Sequence, residues 1–243
     1  MVDYVSECWY SDAGPLRHWL ATQLPRLAPE LRAEYFGDGE KRPRSASSRV
    51  GSRDYRRYVE SDRPGYGFWG NGYWLWASLS ERAPSVTQMF FDHRLCSRIK
   101  EFFIALEPAG LSWGLACHRL EFEHRNLLRV RFRESQKGEM TVWVGRDCRK
   151  YIPGAYWQNY VARAYLEQHG LSEWPICGDV RWLATGALVQ LYDNADEWEQ
   201  HRERIDSEIY RCRAYFSMRD LRVPPDVSFA DHQAILKYAS EWP

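Results

Sequence analysis

A dense run of aromatic residues between positions 66 and 91 restricts the fold of this chain more than any other sequence feature. The run GYGFWGNGYWLWASLS is followed, after Ala83-Pro84, by SVTQMFF, and both segments are rich in strand-forming residues. We predict two strands here, separated by a turn at 81–85. Strands joined by so short a connection pair antiparallel, because a parallel pair needs a long crossover.

Helical periodicity is clearest over 92–107, where Leu95, Ile99, Phe102, Phe103 and Leu106 form one broad apolar face. Other segments predict strands at 3–10, 112–122, 127–132 and 140–144, a hairpin at 180–192, and helices that begin at 14, 153 and 195. This order is not a regular alternation of strand and helix. It predicts an α+β fold, in which helices pack against a mostly antiparallel sheet.

The 243 residues are expected to form one compact unit, with a polar, Arg-rich loop at 37–63. That loop carries eight basic and five acidic residues, and one short helix is expected near Tyr55. The whole chain contains 33 basic and 33 acidic residues, so its formal net charge is zero. A neutral chain lacks the basic excess of a general nucleic-acid binder, and we expect no direct nucleic-acid partner.

No apolar stretch approaches the roughly 18 residues that span a bilayer, and the first residues do not resemble a secretory signal. The six cysteines contain no CxxC pair, which is typical of small buried side chains in a reducing compartment. We therefore expect a cytoplasmic protein without a membrane partner. Homo-oligomerisation stays open.

No motif predicts catalysis or a cofactor. The glycines of GYGFWG at 65–70 match a dinucleotide fingerprint formally, but a strand-like segment follows them where that site needs a helix. If 112–122 and its continuation form a strand, the potential metal ligands divide between its two faces: Cys117, His118, Glu121, Glu123 and His124. We expect neither metal nor cofactor. An uncharacterised enzyme stays the alternative, since catalytic groups can come from distant positions.

Two charged surfaces of opposite sign are candidate protein-binding sites. The preferred one is an acidic helix, with a tryptophan as a potential anchor: Asp196, Glu197, Trp198, Glu199, Glu203 and Asp206. The alternative is the Arg-rich loop beside the aromatic strand: Arg49, Arg53, Arg56, Arg57, Trp74 and Trp76. The aromatic cluster also leaves open a module that binds carbohydrate or nucleic acid.

Two segments stand out: the stretch 152–160 (IPGAYWQNY) and the predicted strand 186–191 (GALVQL) that leads into a charged helix. Both resemble segments of bacterial immunity proteins of polymorphic-toxin and type VI secretion systems. The plan of the first half, with its Tyr35-Phe36-Gly37 exit and the Gly67-Phe68 strand, is similar to the immunity protein 52 group. The resemblance implies a non-enzymatic inhibitor that binds a co-encoded toxin, often a nuclease, inside the producing cell.

Overall fold

The aromatic segment lies within a large antiparallel sheet. The computed structural model describes residues 3–39, 41–63, 65–81, 84–126, 148–149 and 151–216, the backbone of 127–132, 139–143 and 228–229, and the single positions 234 and 237. The described strands are β1 (Tyr4–Tyr10), β2 (Ala33–Gly37), β3 (Tyr66–Gly70), β4 (Tyr73–Ser78), β5 (Ser85–Phe91), β6 (Leu111–His118), β7 (Leu127–Phe132), β8 (Glu139–Trp143), β9 (Gln158–Ala162), β10 (Asp179–Trp182), β11 (Gly186–Gln190) and β12 (Ser228–Phe229). Nine of them form one sheet in the order β10-β11-β9-β6-β1-β5-β4-β3-β2, and β12-β7-β8 form a second.

The described residues also form six α-helices: α1 (Ala13–Thr22), α2 (Arg53–Glu60), α3 (Ile99–Leu106), α4 (Arg119–Asn126), α5 (Arg163–Gln168) and α6 (Trp198–Arg211). All strand pairs of the large sheet are antiparallel. The buried apolar side chains of both halves form one cluster. The predicted α+β class, with helices packed on a mostly antiparallel sheet in one compact unit, is confirmed. No helix of the described residues is long and apolar enough to cross a membrane.

Most predicted elements occur, but three local predictions are wrong. The aromatic segment forms three strands instead of two, because Gly72 adopts a φ of +84° and closes an additional turn after β3. The strand expected at 112–122 ends at His118 and gives way to α4. That helix is stabilised by two Arg–Glu pairs at a spacing of four residues.

The helix expected from residue 153 is instead strand β9, followed by the short α5. β9 pairs with β6 on one side and β11 on the other, and four of its five residues are buried. A strand covered on both faces has no polar alternation, so its apolar spacing can imitate a helix. The tertiary position of β9 therefore overrides the local pattern.

One face of the sheet is covered by α1, α2 and α3. Phe103 of α3 packs over Gly114 of β6, where an added Cβ would lie 3.1 Å from the Phe103 ring. The neighbouring Trp113 points to the other face because side chains alternate along a strand. There its ring meets that of Tyr156, at a centroid distance of 6.1 Å. The centre of the sheet is thus covered on both faces, and every residue of β1 is buried.

Towards β2 the second face of the sheet is less covered. In β4 and β5 buried residues alternate with half-buried ones, which include Trp74, Trp76 and Phe90. Trp74 stacks on Phe90 with an interplanar angle of 13°. The helix α2 packs on the opposite face, where Tyr55 and Tyr58 contact Phe68. The sheet therefore separates Trp74 and Trp76 from the arginines of α2.

We predict that Phe102→Ala lowers the free energy of unfolding by about 3–5 kcal/mol, since it leaves a cavity under the ring of Trp19. The matched control is Ile104→Ala on the same helix, where the side chain is 37% exposed and a small change is expected. Denaturant melts measure both. A loss below about 1 kcal/mol at Phe102 would contradict the core assignment.

Candidate binding surfaces

The acidic candidates surround the start of α6, directly after the hairpin of β10 and β11. Asn194 caps the short 3-10 helix 195–197 by accepting a hydrogen bond from the Asp196 amide at 3.1 Å. Acidic side chains at a helix N-terminus also interact favourably with the helix dipole. Trp198, Ile205 and Ile209 anchor α6 in the core. The opposite side of the helix consequently faces solvent.

Only some of the six predicted contact residues face solvent. Trp198 is buried, with its ring 5.5 Å from that of His124, so it is not an exposed anchor. Asp206 points inward and accepts a hydrogen bond from Arg125 at 2.7 Å. Glu199 and Glu203 are exposed, as is Asp196, which accepts the Tyr4 hydroxyl at 2.5 Å. Glu197 is half-buried.

An exposed aromatic residue that we did not predict lies on the same side of α6. Tyr210 is 57% exposed and follows Glu199 and Glu203 at intervals that return to one helix stripe. The guanidinium of Arg213 lies 5.1 Å from its ring centroid. We call Asp196, Glu199, Glu203 and Tyr210 the acidic face. The sequence already contains this signal, because a tyrosine in line with two glutamates on one side of a helix is typical of a binding surface.

Among the residues that the structure describes, Glu199 and Glu203 form no ion pair. The nearby Arg204 is already occupied, since it donates to the Leu191 carbonyl at 2.9 Å and lies 3.4 Å from Glu208. The negative charge of the acidic face is therefore not cancelled by these neighbours. Local charge of this kind accelerates association with an oppositely charged partner, whatever the net charge of the chain.

A buried polar network fixes α6 relative to the rest of the molecule. Glu121 of α4 is completely buried and accepts hydrogen bonds from Arg125 (3.1 Å), Tyr192 (2.5 Å) and the Trp157 amide (3.4 Å). Arg125 extends the network to Asp206. Burial, together with the adjacent Glu121 carboxylate, raises the pKa of the Tyr192 hydroxyl far above its ordinary value, so the phenol stays a donor.

We predict that Glu121→Gln lowers the free energy of unfolding by about 3–5 kcal/mol, because it removes the more deeply buried of the two carboxylates that compensate the charge of Arg125. The helix supplies its own control. Glu123→Gln breaks an exposed Arg–Glu pair at the same spacing, and exposed pairs contribute less than about 1 kcal/mol. Equal losses in the two variants, measured by denaturant melts, would show that burial of the first pair is unimportant.

Glu7 is a second buried carboxyl, and it lies in the middle of β1. The Trp9 indole donates to one of its oxygens at 3.0 Å, and the Gln88 amide donates to the other at 3.2 Å. Burial nevertheless raises the pKa of Glu7 to about 7, against an ordinary value of 4.5, because two neutral donors do not replace lost hydration. Its donors are neighbouring residues of the sheet, of which Trp9 is buried and Gln88 is half-buried, and this indicates a structural role.

The raised pKa of Glu7 predicts that stability falls as pH rises from 4.5 to 7, since the unfolded carboxyl ionises first while the folded one keeps its proton. One such proton lowers the free energy of unfolding by about 3 kcal/mol over that pH interval. The Glu7→Gln variant has no titratable group at this position and should therefore lack this pH-dependent loss of stability. The measurement is the difference between the two proteins in unfolding free energy, from pH 4.5 to pH 8. Parallel curves would contradict the assignment.

The alternative surface does not form as one patch. Arg53, Arg56 and Arg57 are exposed on α2, and Arg49 lies beside the edge strand β2, where it bridges to Tyr35. Trp74 and Trp76 belong to the opposite face of the sheet. The sequence placed these residues near one another along the chain, but sheet alternation sends the rings away from the arginines.

The described residues contain no group of three or more His, Cys, Asp or Glu side chains arranged to hold a metal ion. The potential ligands at Glu121, Glu123 and His124 lie on α4 rather than on a strand. Of the cysteines, Cys8, Cys117 and Cys148 are buried as expected, whereas Cys96 and Cys212 are half-buried and Cys177 is exposed. Burial raises the pKa of the Cys8 thiol to about 12, which keeps it protonated.

Comparison with protein-family models, with curated proteins and with solved structures gives no match to this chain.

Proposed function

We propose that this protein is an immunity protein, a non-catalytic inhibitor that binds a co-encoded bacterial toxin through the acidic face of α6. The observation that carries the proposal is that Glu199 and Glu203 are exposed and, within the described part of the chain, form no ion pair, on a helix whose other side is held in the core. Trp198, Ile205 and Ile209 anchor the helix, and Asp206 joins the buried network through Arg125. A pre-organised surface loses little freedom when it binds.

The charge of the acidic face selects the kind of partner. A nuclease receives phosphates, so its substrate site is basic. Carboxylates that approach such a site replace the phosphates electrostatically and keep the nucleic acid out. Tyr210 adds an exposed ring beside the carboxylates, and tyrosine is enriched among the residues that dominate binding energies.

The first test is protection in cells. The chain is co-expressed with the product of each gene adjacent to its own, and growth is scored. The proposal would be supported by a product that is toxic when expressed alone and whose toxicity is relieved by this chain. The two proteins should also form a stable complex on size-exclusion chromatography. Failure to protect against any adjacent product would overturn it.

The second test examines the surface, with the toxin identified in the first. We predict that Glu199→Lys combined with Glu203→Lys slows association about tenfold or more at low salt and weakens the salt dependence of the association rate, since exposed charges act chiefly on encounter. Biosensor kinetics at two ionic strengths measure both effects.

The matched control is Glu30→Lys combined with Glu34→Lys. Reversing these exposed carboxylates changes the total charge by the same amount, but Glu30 precedes β2 and Glu34 lies within it, at an edge of the sheet. An association rate that is unchanged in the α6 variant, or slowed equally in both variants, would rule out the acidic face as the contact.

A further inference from the structure

Two adjacent cavities open between α1, α2 and the edge strand β2, at the end of the sheet away from α6. The first, of about 640 Å³, lies between α1 and α2, and the second, of about 480 Å³, lies beside β2. Pro25 and Gly51 line both cavities, so the two form one continuous trough. Volumes of this size are typical of small-molecule sites.

The lining of this trough is strongly basic. Six basic side chains contribute to it: Arg17, His18, Arg26, Arg32, Arg49 and Arg56. The two acidic lining residues already have partners, since Glu60 pairs with Arg56 at 2.7 Å and Glu34 pairs with Arg42 at 3.0 Å. Within the described part of the chain, His18, Arg26 and Arg32 form no ion pair. Glu60 neutralises Arg56, but the remaining arginines leave positive charge in excess along the trough.

Further contacts at both ends of the trough hold the charge in place. Arg17 donates from one guanidinium nitrogen to the carbonyls of Val59 and Ser61 and to the Tyr66 hydroxyl, at 3.0–3.2 Å. At the other end, Arg42 and Arg49 lie 4.2 and 5.6 Å from the ring centroid of Tyr35. Hydrogen bonding to Arg42 and the charge of Arg49 lower the pKa of the Tyr35 hydroxyl, as a positive environment requires.

The chemistry of the lining suits an anion that presents several oxygens, such as a phosphate. Guanidinium groups present several donors in a planar fork that matches phosphate oxygens, and here arginine outnumbers histidine five to one. A nucleic-acid strand would also need a free aromatic ring for its bases, but the Tyr35 ring is already covered by two guanidinium groups. Two cavities in line suit a ligand with more than one phosphoryl group.

We propose that this basic trough binds a small molecule that carries two or more phosphoryl groups, with Arg26 contacting it in the first cavity and Arg49 in the second. Nucleoside triphosphates and inorganic polyphosphates share this chemistry. The site is separate from the acidic face, and its occupancy does not depend on the proposed toxin.

The test is calorimetric titration of the whole protein with inorganic triphosphate and, separately, with ATP, at about 0.15 M salt. Saturable binding is expected, and Arg26→Ala and Arg49→Ala should each weaken it about tenfold, as loss of a charge-assisted hydrogen bond requires. Arg57→Ala is the control, because this exposed arginine of α2 does not line the trough. It should change the dissociation constant less than about threefold. Melting curves verify that each variant is folded.

The two probes separate the possible sources of the ligand. ATP binding tighter than triphosphate indicates a nucleotide, and equal or weaker ATP binding indicates recognition of the phosphates alone; either supports the trough. Absence of saturable binding of both probes would overturn the proposal, as would equal weakening by Arg57→Ala. An eight-nucleotide single strand that binds at least tenfold tighter than triphosphate would also overturn it, in favour of a nucleic-acid groove.

Discussion

The buried ion pair of Glu121 and Arg125 connects parts of the molecule that are far apart in the sequence. Both side chains lie on α4, one helical turn apart, and almost no water reaches either of them. A buried carboxylate is tolerated only when charge and hydrogen bonds replace its hydration. Here Tyr192, the Trp157 amide and Arg125 supply them, and Arg125 in turn reaches Asp206 of α6. The network thereby holds α4 and α6 in a fixed position relative to the segments that adjoin β9 and β11.

The neutral total charge conceals two charged surfaces at different places on the large sheet. The acidic face begins at Asp196, which contacts Tyr4 of the central strand β1, and continues along α6, whereas the basic trough lies beside the edge strand β2. Three strands lie between β1 and β2, and neighbouring strands are about 4.8 Å apart, which keeps the two surfaces separate. Each surface can therefore act on its own partner without cancelling the other.

Helices support both proposed sites, although Arg26 and Arg49 of the trough lie in segments that connect the larger elements. The acidic face is the outer side of a helix held by three core residues, and the trough lies between two helices that pack through their own apolar sides. The buried carboxyl groups of Glu7 and Glu121 accept hydrogen bonds from protein donors on both oxygens. Only charged groups that face solvent can contact a partner, and we therefore assign binding to the surface.

The sequence by itself determined the α+β class, the amphipathic α3, the hairpin of β10 and β11 and the charged α6, because each of these has a period or a turn signal within a few residues. Only the tertiary structure decided that 158–162 form a central strand, since a segment buried on both faces has no polar alternation to read. It also decided which charges reach a partner. Glu199 and Asp206 are equally acidic in the sequence, but packing against Arg125 turns Asp206 inward and leaves Glu199 in solvent. Likewise, the arginines of α1 and α2 and those that lie beside β2 converge into one trough only because the sheet edge brings separate segments together.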